Sequence, residues 1–278
     1  MNRDKKSKIF YPARSPRRGR TKEGQVTIFI IIGILFITAI MLFFFLREDL
    51  LPGTGGKSEE NPGGFLEICI EDKLIEGTKL ISSQGGYIEN PLNRTFKFSD
   101  ENDFTDISYL CYNQNNYFSC INQEPMLIQH LKAEVKTYVF DDVRTCFDNL
   151  VLSLGKRGYV VDATYNGFEI EFATKKIIID IDGKIILTKS DETTRQENLK
   201  IIFPSRFYDL AGVVQEIVSQ EARFCNFENL GFMAFYPKFN IERFRTGDGT
   251  LIYTAKHIET QEEFKFALRG CVIPPGFW

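Results

Sequence analysis

The sequence predicts an α+β protein: one N-terminal transmembrane helix, then an extracytoplasmic domain in which an antiparallel β-meander packs against long amphipathic helices. Three observations carry this. No charged residue occurs between Glu23 and Arg47. Apolar residues recur every three to five positions from Leu131 to Leu154, the period of a helix buried along one face. From Phe168 to Phe203 apolar and polar residues alternate in short runs, the period of half-buried strands.

The uncharged stretch centres on Val26 to Leu46, VTIFIIIGILFITAIMLFFFL. At about 1.5 Å per residue it forms a helix about 35 Å long, enough for a hydrocarbon core of about 30 Å. Residues 1–23 carry nine Lys and Arg against Asp4 and Glu23, a net of +7. The whole chain carries −3, so residues 24–278 carry −10. Cytoplasmic flanks are enriched in Lys and Arg, which places the N-terminus inside and the C-terminal domain outside. A basic run also suits a nucleic-acid-binding tail, but the span that follows at once accounts for the charge, and no nucleic-acid partner is expected. A cleaved secretory signal fits less well, because its apolar core is typically about 7 to 15 residues and ends in an A-x-A site. The expected organisation is a basic cytoplasmic tail (1–23), a transmembrane helix (24–46), a flexible linker (47–64) and an extracytoplasmic domain (65–278), in a single-pass protein of the cell membrane.

The junction Lys22-Glu23-Gly24-Gln25-Val26-Thr27 ahead of the apolar helix resembles the class III signal sequence of archaeal type IV pilins and archaellins. The resemblance implies a prepilin-peptidase cut between Gly24 and Gln25 and a pilin-like filament subunit. Two departures point instead to a permanent anchor. Phe29 stands where that family has an acidic residue at the fifth mature position, and Pro52-Gly53 stops the helix early. The GQVTIFIIIG start, the SQGGYI segment and the PPGF ending also resemble membrane-anchored proteins of small-genome archaea, a likeness that implies no activity.

In chain order, residues 52–64, PGTGGKSEENPGG, have the composition of a flexible linker. Leu66, Cys69, Ile70, Leu74, Lys79 and Leu80 give an imperfect helical stripe from Phe65 to about Ser83, ended by Gly85-Gly86. Cys69-Ile70-Glu71 with Leu74 has a partial echo in Cys146-Phe147-Asp148 with Leu150, so the two helices are candidates to pack together. Residues 90–122 read as irregular and polar, with short strands at most. Pro125 suits the start of a long helix, punctuated at its end by Gly155 and Gly158. Asn166-Gly167 and Asp182-Gly183 have the signature of type I′ hairpin turns, giving four or five strands between Tyr159 and Phe203. Ser205 is positioned to cap the next helix, whose face is Phe207, Leu210, Val214, Ile217 and Phe224. A short helical piece spans Phe227 to Phe235. Strands close the chain near Phe239–Phe244, Leu251–His257 and Phe264–Leu268.

The chemistry is sparse. The sequence holds no G-x-S-x-G, H-E-x-x-H, C-x-x-C or Walker-type loop, and no catalytic residue, metal ligand or cofactor is assigned. His130 and His257 lack neighbours at ligand spacing and read as structural. Asp180-Ile181-Asp182-Gly183 hints at a calcium turn, but Asp191 and Glu192 do not supply the glutamate at the twelfth position of such a loop, and a hairpin is the better reading. Asp141, Asp142 and Asp148 read as a solvated helix face.

All six cysteines, Cys69, Cys111, Cys120, Cys146, Cys225 and Cys271, follow the span. An even count outside the cytoplasm favours disulfides over buried thiols. Cys111 with Cys120 closes a short loop, Cys69 with Cys146 joins the two echoing helices, and Cys225 with Cys271 remains. Asn93-Arg94-Thr95 is a glycosylation sequon at Asn93. Two function classes follow. The first is a membrane-anchored cell-surface protein with a non-enzymatic structural or binding ectodomain, its partners the lipid bilayer and a protein of the cell envelope; the pilin-like subunit is a variant of it. The second is an extracytoplasmic hydrolase whose site uses residues scattered in sequence.

Overall fold

A computed structural model describes residues 31–38, 41, 61–98 and 102–272. Residues 31–38, inside the expected span, are helical with Ile31, Ile32, Ile34, Leu35, Phe36 and Ile37 exposed; the rest of that span, and Gly24 and Gln25, lie outside the described residues. Among the described residues no helix is both long and apolar enough to cross a membrane. Met1–Gly56 and Lys57–Trp278 are separate units.

The second unit is α+β, with two largely antiparallel sheets and several helices. The alternating region is a meander of three strands, β4 (Val160–Ala173), β5 (Lys176–Lys189) and β6 (Glu192–Pro204), in the order β4-β5-β6. Phe168, Ile170, Phe172, Ile179, Ile181, Leu199, Ile201 and Phe203 point to the core, while Glu169, Glu171 and Lys200 face solvent.

The turns are not where the Asn-Gly and Asp-Gly dipeptides predict, and there are three long strands in place of four or five short ones. Gly167 pairs with Asp182, and Tyr165 with Gly183, in mid-strand. Gly167 uses its φ of +131° to form a bulge in β4. A Cβ on Gly183 would lie 3.0 Å from the Thr164 carbonyl oxygen and 3.4 Å from the Phe147 ring, so glycine there admits a helix side chain against the sheet. A second register shift, between β5 and β6 with Asn198 at φ +52°, falls at the same level. Bulges bend a strand and increase its twist, and here they do so together. The actual turns are Thr174-Lys175, with Lys175 at φ +67°, and Ser190-Asp191, at φ +48° and +68°. In the second of these both central residues take the positive φ that a type I′ turn demands.

Helix α1 (Pro62–Ser83) starts on Asn61, whose side chain accepts from Gly63 N at 3.1 Å, with proline at its first position. It ends as Gly86 N donates to Ile81 O at 2.8 Å, with Gly85 and Gly86 at positive φ. Helix α2 (Leu127–Lys156) begins two residues after Pro125 and buries Leu131, Val135, Val139, Val143, Phe147 and Leu150. The two helices run antiparallel: Cys69 meets Cys146, Gly77 lies under the Tyr138 ring, and Gly86 sits at Leu131. A Cβ on Gly77 would overlap that ring.

The second sheet has six strands: β1 (Asn93–Phe96), β2 (Thr105–Tyr112), β3 (Ile121–Asn122), β7 (Phe239–Arg245), β8 (Leu251–His257) and β9 (Glu263–Arg269). Its order is β1-β2-β9-β8-β7, with β3 on β2. Every pairing is antiparallel except β2 with β9. Residues 90–122 thus supply three strands of this sheet: β1 and β3 are short, as expected, and β2, with eight residues, is longer than the irregular appearance suggests. Ile107 to Cys111 are buried without a break, as in strands covered on both faces, so the strand shows no alternation to betray it.

Helix α3 (Phe207–Phe224) joins the two sheets. Phe207 packs edge-on against Phe172 of β4 at 5.4 Å and lies 6.1 Å from the Phe264 ring of β9. Its N-cap is Arg206, one residue past the expected Ser205. Ser205 Oγ accepts from Phe207 N at 3.1 Å and donates to Glu262 at 2.8 Å, and Glu262 also accepts from Arg206 N at 2.9 Å. The β8–β9 loop therefore satisfies the start of α3.

A smaller cluster of Ile107, Tyr109, Ile252 and Ala267 forms the outer layer of the second sheet, and Asp248 pins its edge. The carboxylate accepts from Thr246 Oγ1 and from Thr250 N (3.3 Å), and pairs with Arg94 Nη1 at 2.8 Å. The Thr246 hydroxyl, then Thr250 and Arg94, hold its carboxyl below the usual carboxylate range. A depressed folded-state value adds stability above the unfolded value, which is lost as pH falls through the folded one. Asp248→Asn is expected to cost about 0.5 kcal/mol at pH 7 and less at about pH 3, because the contribution fades as pH falls toward and through the folded value. Urea melts at both pH values check this; an equal deficit at both would exclude the ionised carboxylate as the cause.

Candidate binding groove

The residues after α3 build the most distinctive surface of the unit. Helix α3 ends at Cys225, in the left-handed conformation (φ +55°), and the chain turns back. Phe227 anchors the turn: it is 1 % exposed, 5.4 Å from the Phe232 ring and 6.3 Å from that of Tyr253. The short helix α4 (Asn229–Phe235) follows. Two contacts tie it to β7: Ile241 N lies 3.2 Å from Met233 Sδ, and Asn229 Nδ2 donates to Ile241 O at 3.5 Å. Pro237 lies just beyond its end.

Helix α4 is almost wholly apolar, NLGFMAF, yet none of its residues is fully buried. Leu230 is 70 % exposed, Phe235 83 % and Tyr236 55 %. Between α4 and α3 runs an open groove of about 690 Å³. Phe227, Phe232, Tyr236 and Phe239 form its aromatic side, with the Phe232 and Tyr236 rings 4.7 Å apart. Asp209, Glu216 and Glu228 contribute carboxylates, and among the described residues no Lys or Arg lines it. Asp209 is held by Arg206 (3.4 Å) and Lys175 N (3.2 Å), whereas Glu216 and Glu228 are exposed. An apolar trough with acidic borders complements a segment that is apolar on one side and positively charged on its flanks.

A more closed cleft of about 450 Å³ lies between α1, the end of β6, α3 and the β8–β9 loop. Its floor is Leu74, Ile177, Phe203 and Phe207, and the Glu262 carboxylate at its mouth is already committed to the start of α3. The cleft is a junction of core elements.

The residues singled out from sequence are dispersed. His130 Nε2 lies 2.9 Å from Gly86 O, with its ring 4.3 Å from that of Tyr87. Buried His257 accepts from Thr260 N through Nδ1 at 3.3 Å. Asp180 and Asp182 sit within β5, where Asp182 accepts from Asn166 Nδ2 at 3.3 Å, so the expected hairpin at that site is a strand interior. Asp141 and Asp148 are exposed on α2. Asn93 opens β1, and its Nδ2 donates to Asn90 O at 2.6 Å. The cysteines do come together: Cys69 with Cys146, Cys111 with Cys120 and Cys225 with Cys271, at Cα separations of 5.9, 5.3 and 5.8 Å. These are the pairs expected from the sequence.

The residues that form the groove were not foreseen. Their one sequence signal is the apolar density of residues 230–236, LGFMAFY, too high for a surface helix with a single buried stripe. No protein-family model, curated protein or solved structure matches the chain.

Proposed function

We propose that this chain is a membrane-anchored cell-surface protein with a non-enzymatic binding ectodomain, whose α3–α4 groove takes an apolar, positively charged segment of a cell-envelope protein. The anchor and its orientation rest on the uncharged stretch after Glu23 and on the +7 N-terminal flank. The binding reading rests on one observation: an aromatic helix left uncovered beside carboxylates, with no basic side chain lining the groove among the described residues. Large exposed apolar surface with a polar border marks interaction sites, and aromatic residues dominate binding energy where they become buried. The acidic border sets which partners approach and how fast.

The test uses the full-length protein in lipid nanodiscs and two synthetic amphipathic peptides, one of Lys and Leu and one of Glu and Leu. The Lys/Leu peptide is expected to bind at least roughly tenfold more tightly, about 1.4 kcal/mol. Glu216→Lys with Glu228→Lys should remove that preference, and Phe235→Asp should weaken binding of the Lys/Leu peptide by a similar factor. Equal binding of the two peptides, or no response to the three substitutions, would reject the groove as the recognition surface.

A further inference from the structure

The three disulfides differ in their surroundings. Cys111 and Cys120 are both buried, and Cys69 is bonded to Cys146, which is 4 % exposed. In the third bridge both cysteines are only partly buried. Cys225 and Cys271 together line a pocket of about 380 Å³ that opens to the surface between the end of α3, β7 and the end of β9. Arg243 and Arg245 line the same pocket, and Arg245 Nη2 donates to Val272 O, next to Cys271, at 2.7 Å. The single acid in its lining, buried Glu221, accepts the Tyr253 hydroxyl.

The backbone sets this bridge apart as well. Cys225 has φ +55° and Cys271 +45°, both in the left-handed region that residues with a Cβ seldom occupy. Such conformations persist where surrounding structure enforces them, and they gather at functional sites. A partly buried sulfur pair in a pocket that two arginines also line is in the kind of electropositive surroundings that favour thiolate over thiol, and a good leaving thiolate speeds exchange.

We propose that Cys225–Cys271 is a thiol–disulfide exchange site that oxidises an external dithiol. A substrate thiolate attacks one sulfur of the bridge. The substrate–cysteine bond forms as the Cys225–Cys271 bond breaks, and the displaced cysteine leaves as a thiolate next to the arginines. The second substrate thiol then loses its proton and displaces the bonded cysteine. The substrate gives up two electrons and becomes a disulfide; Cys225 and Cys271 take them up and, with the two substrate protons, become thiols. The exchange is stoichiometric, one dithiol oxidised per bridge, and is independent of the groove, with which the Cys225–Cys271 pocket shares no lining residue.

The experiment treats the full-length native protein with dithiothreitol, quenches samples by alkylation and maps the labelled cysteines. Cys225 and Cys271 are expected to be labelled at least tenfold faster than the other four, with one equivalent of oxidised dithiothreitol formed per bridge opened and the circular dichroism unchanged. Arg243→Gln with Arg245→Gln should slow opening several-fold at the same pH. Opening of Cys69–Cys146 or Cys111–Cys120 at the same rate, or opening of Cys225–Cys271 only as the protein unfolds, would overturn the proposal. The wild-type rates decide it whether or not the double variant folds.

Discussion

Replacing Cys69 and Cys146 by alanine is expected to lower the unfolding free energy by about 4 kcal/mol, more than loss of either other bridge. The bridge spans 77 residues of sequence, against 9 for Cys111–Cys120 and 46 for Cys225–Cys271. A cross-link restricts the unfolded chain more as its loop grows: chain-entropy arithmetic gives about 4.5 kcal/mol for a loop of this length and roughly 2.7 for the shortest. Its position adds to the effect. The bond lies near the start of α1 and, because the helices run antiparallel, near the end of α2, while Gly77 under Tyr138 and Gly86 against Leu131 hold the other parts of the interface. Urea unfolding of the two double-alanine variants, Cys69/Cys146 and Cys111/Cys120, checks the order. Equal losses would mean that loop length does not govern the stabilisation.

Phe207→Ala is expected to cost about 3 to 5 kcal/mol, the range for emptying a large buried aromatic site. The ring is 2 % exposed and lies between Phe172 of the meander and Phe264 of the second sheet. One hydrophobic cluster runs through both sheets and α1 to α3, so the cavity opens where the layers meet. Both sheets should lose amide-exchange protection together. Thermal unfolding gives the magnitude, and hydrogen exchange resolved by strand gives the distribution. A loss under 1 kcal/mol, or protection lost from only one sheet, would contradict a single shared core.

Much of the helical framework was readable because it is local. The spacing of Leu131, Val135, Val143, Cys146 and Leu150 is the buried face of α2, and the alternation of Phe168, Ile170 and Phe172 is the inner face of β4. The glycine dipeptides misled because positive φ and a missing Cβ serve a bulge and a close helix approach as well as a turn. Neither of the true hairpin turns, Thr174-Lys175 and Ser190-Asp191, carries a glycine. The length of β2 was underestimated because Ile107 to Cys111 are buried without a break, so no alternation marks the strand. The α4 groove was missed for the opposite reason: an apolar run reads as core, and only the packing shows that nothing covers it. The disulfide pairs were legible from loop length and from the helix echo, whereas the openness and backbone of Cys225–Cys271 depend on where α3 and β9 end.

The parallel pairing of β2 with β9 sets a schedule on the making of this protein. Tyr109, Cys111 and Tyr112 find their partners in Ala267, Leu268 and Arg269, and β9 is the last strand among the described residues. The ribosome delivers β2 early and β9 last. Throughout that interval the strands of the β4–β6 meander have their ladder partners, whereas β2 lacks its β9 neighbour. An unmet strand edge is a template for pairing with another chain, and long-range strand pairing is slow to form. The interval between the two strands is therefore the period in which a nascent copy is open to joining its neighbour instead of itself, and a stop codon placed anywhere before Glu263 leaves that edge unmet for good.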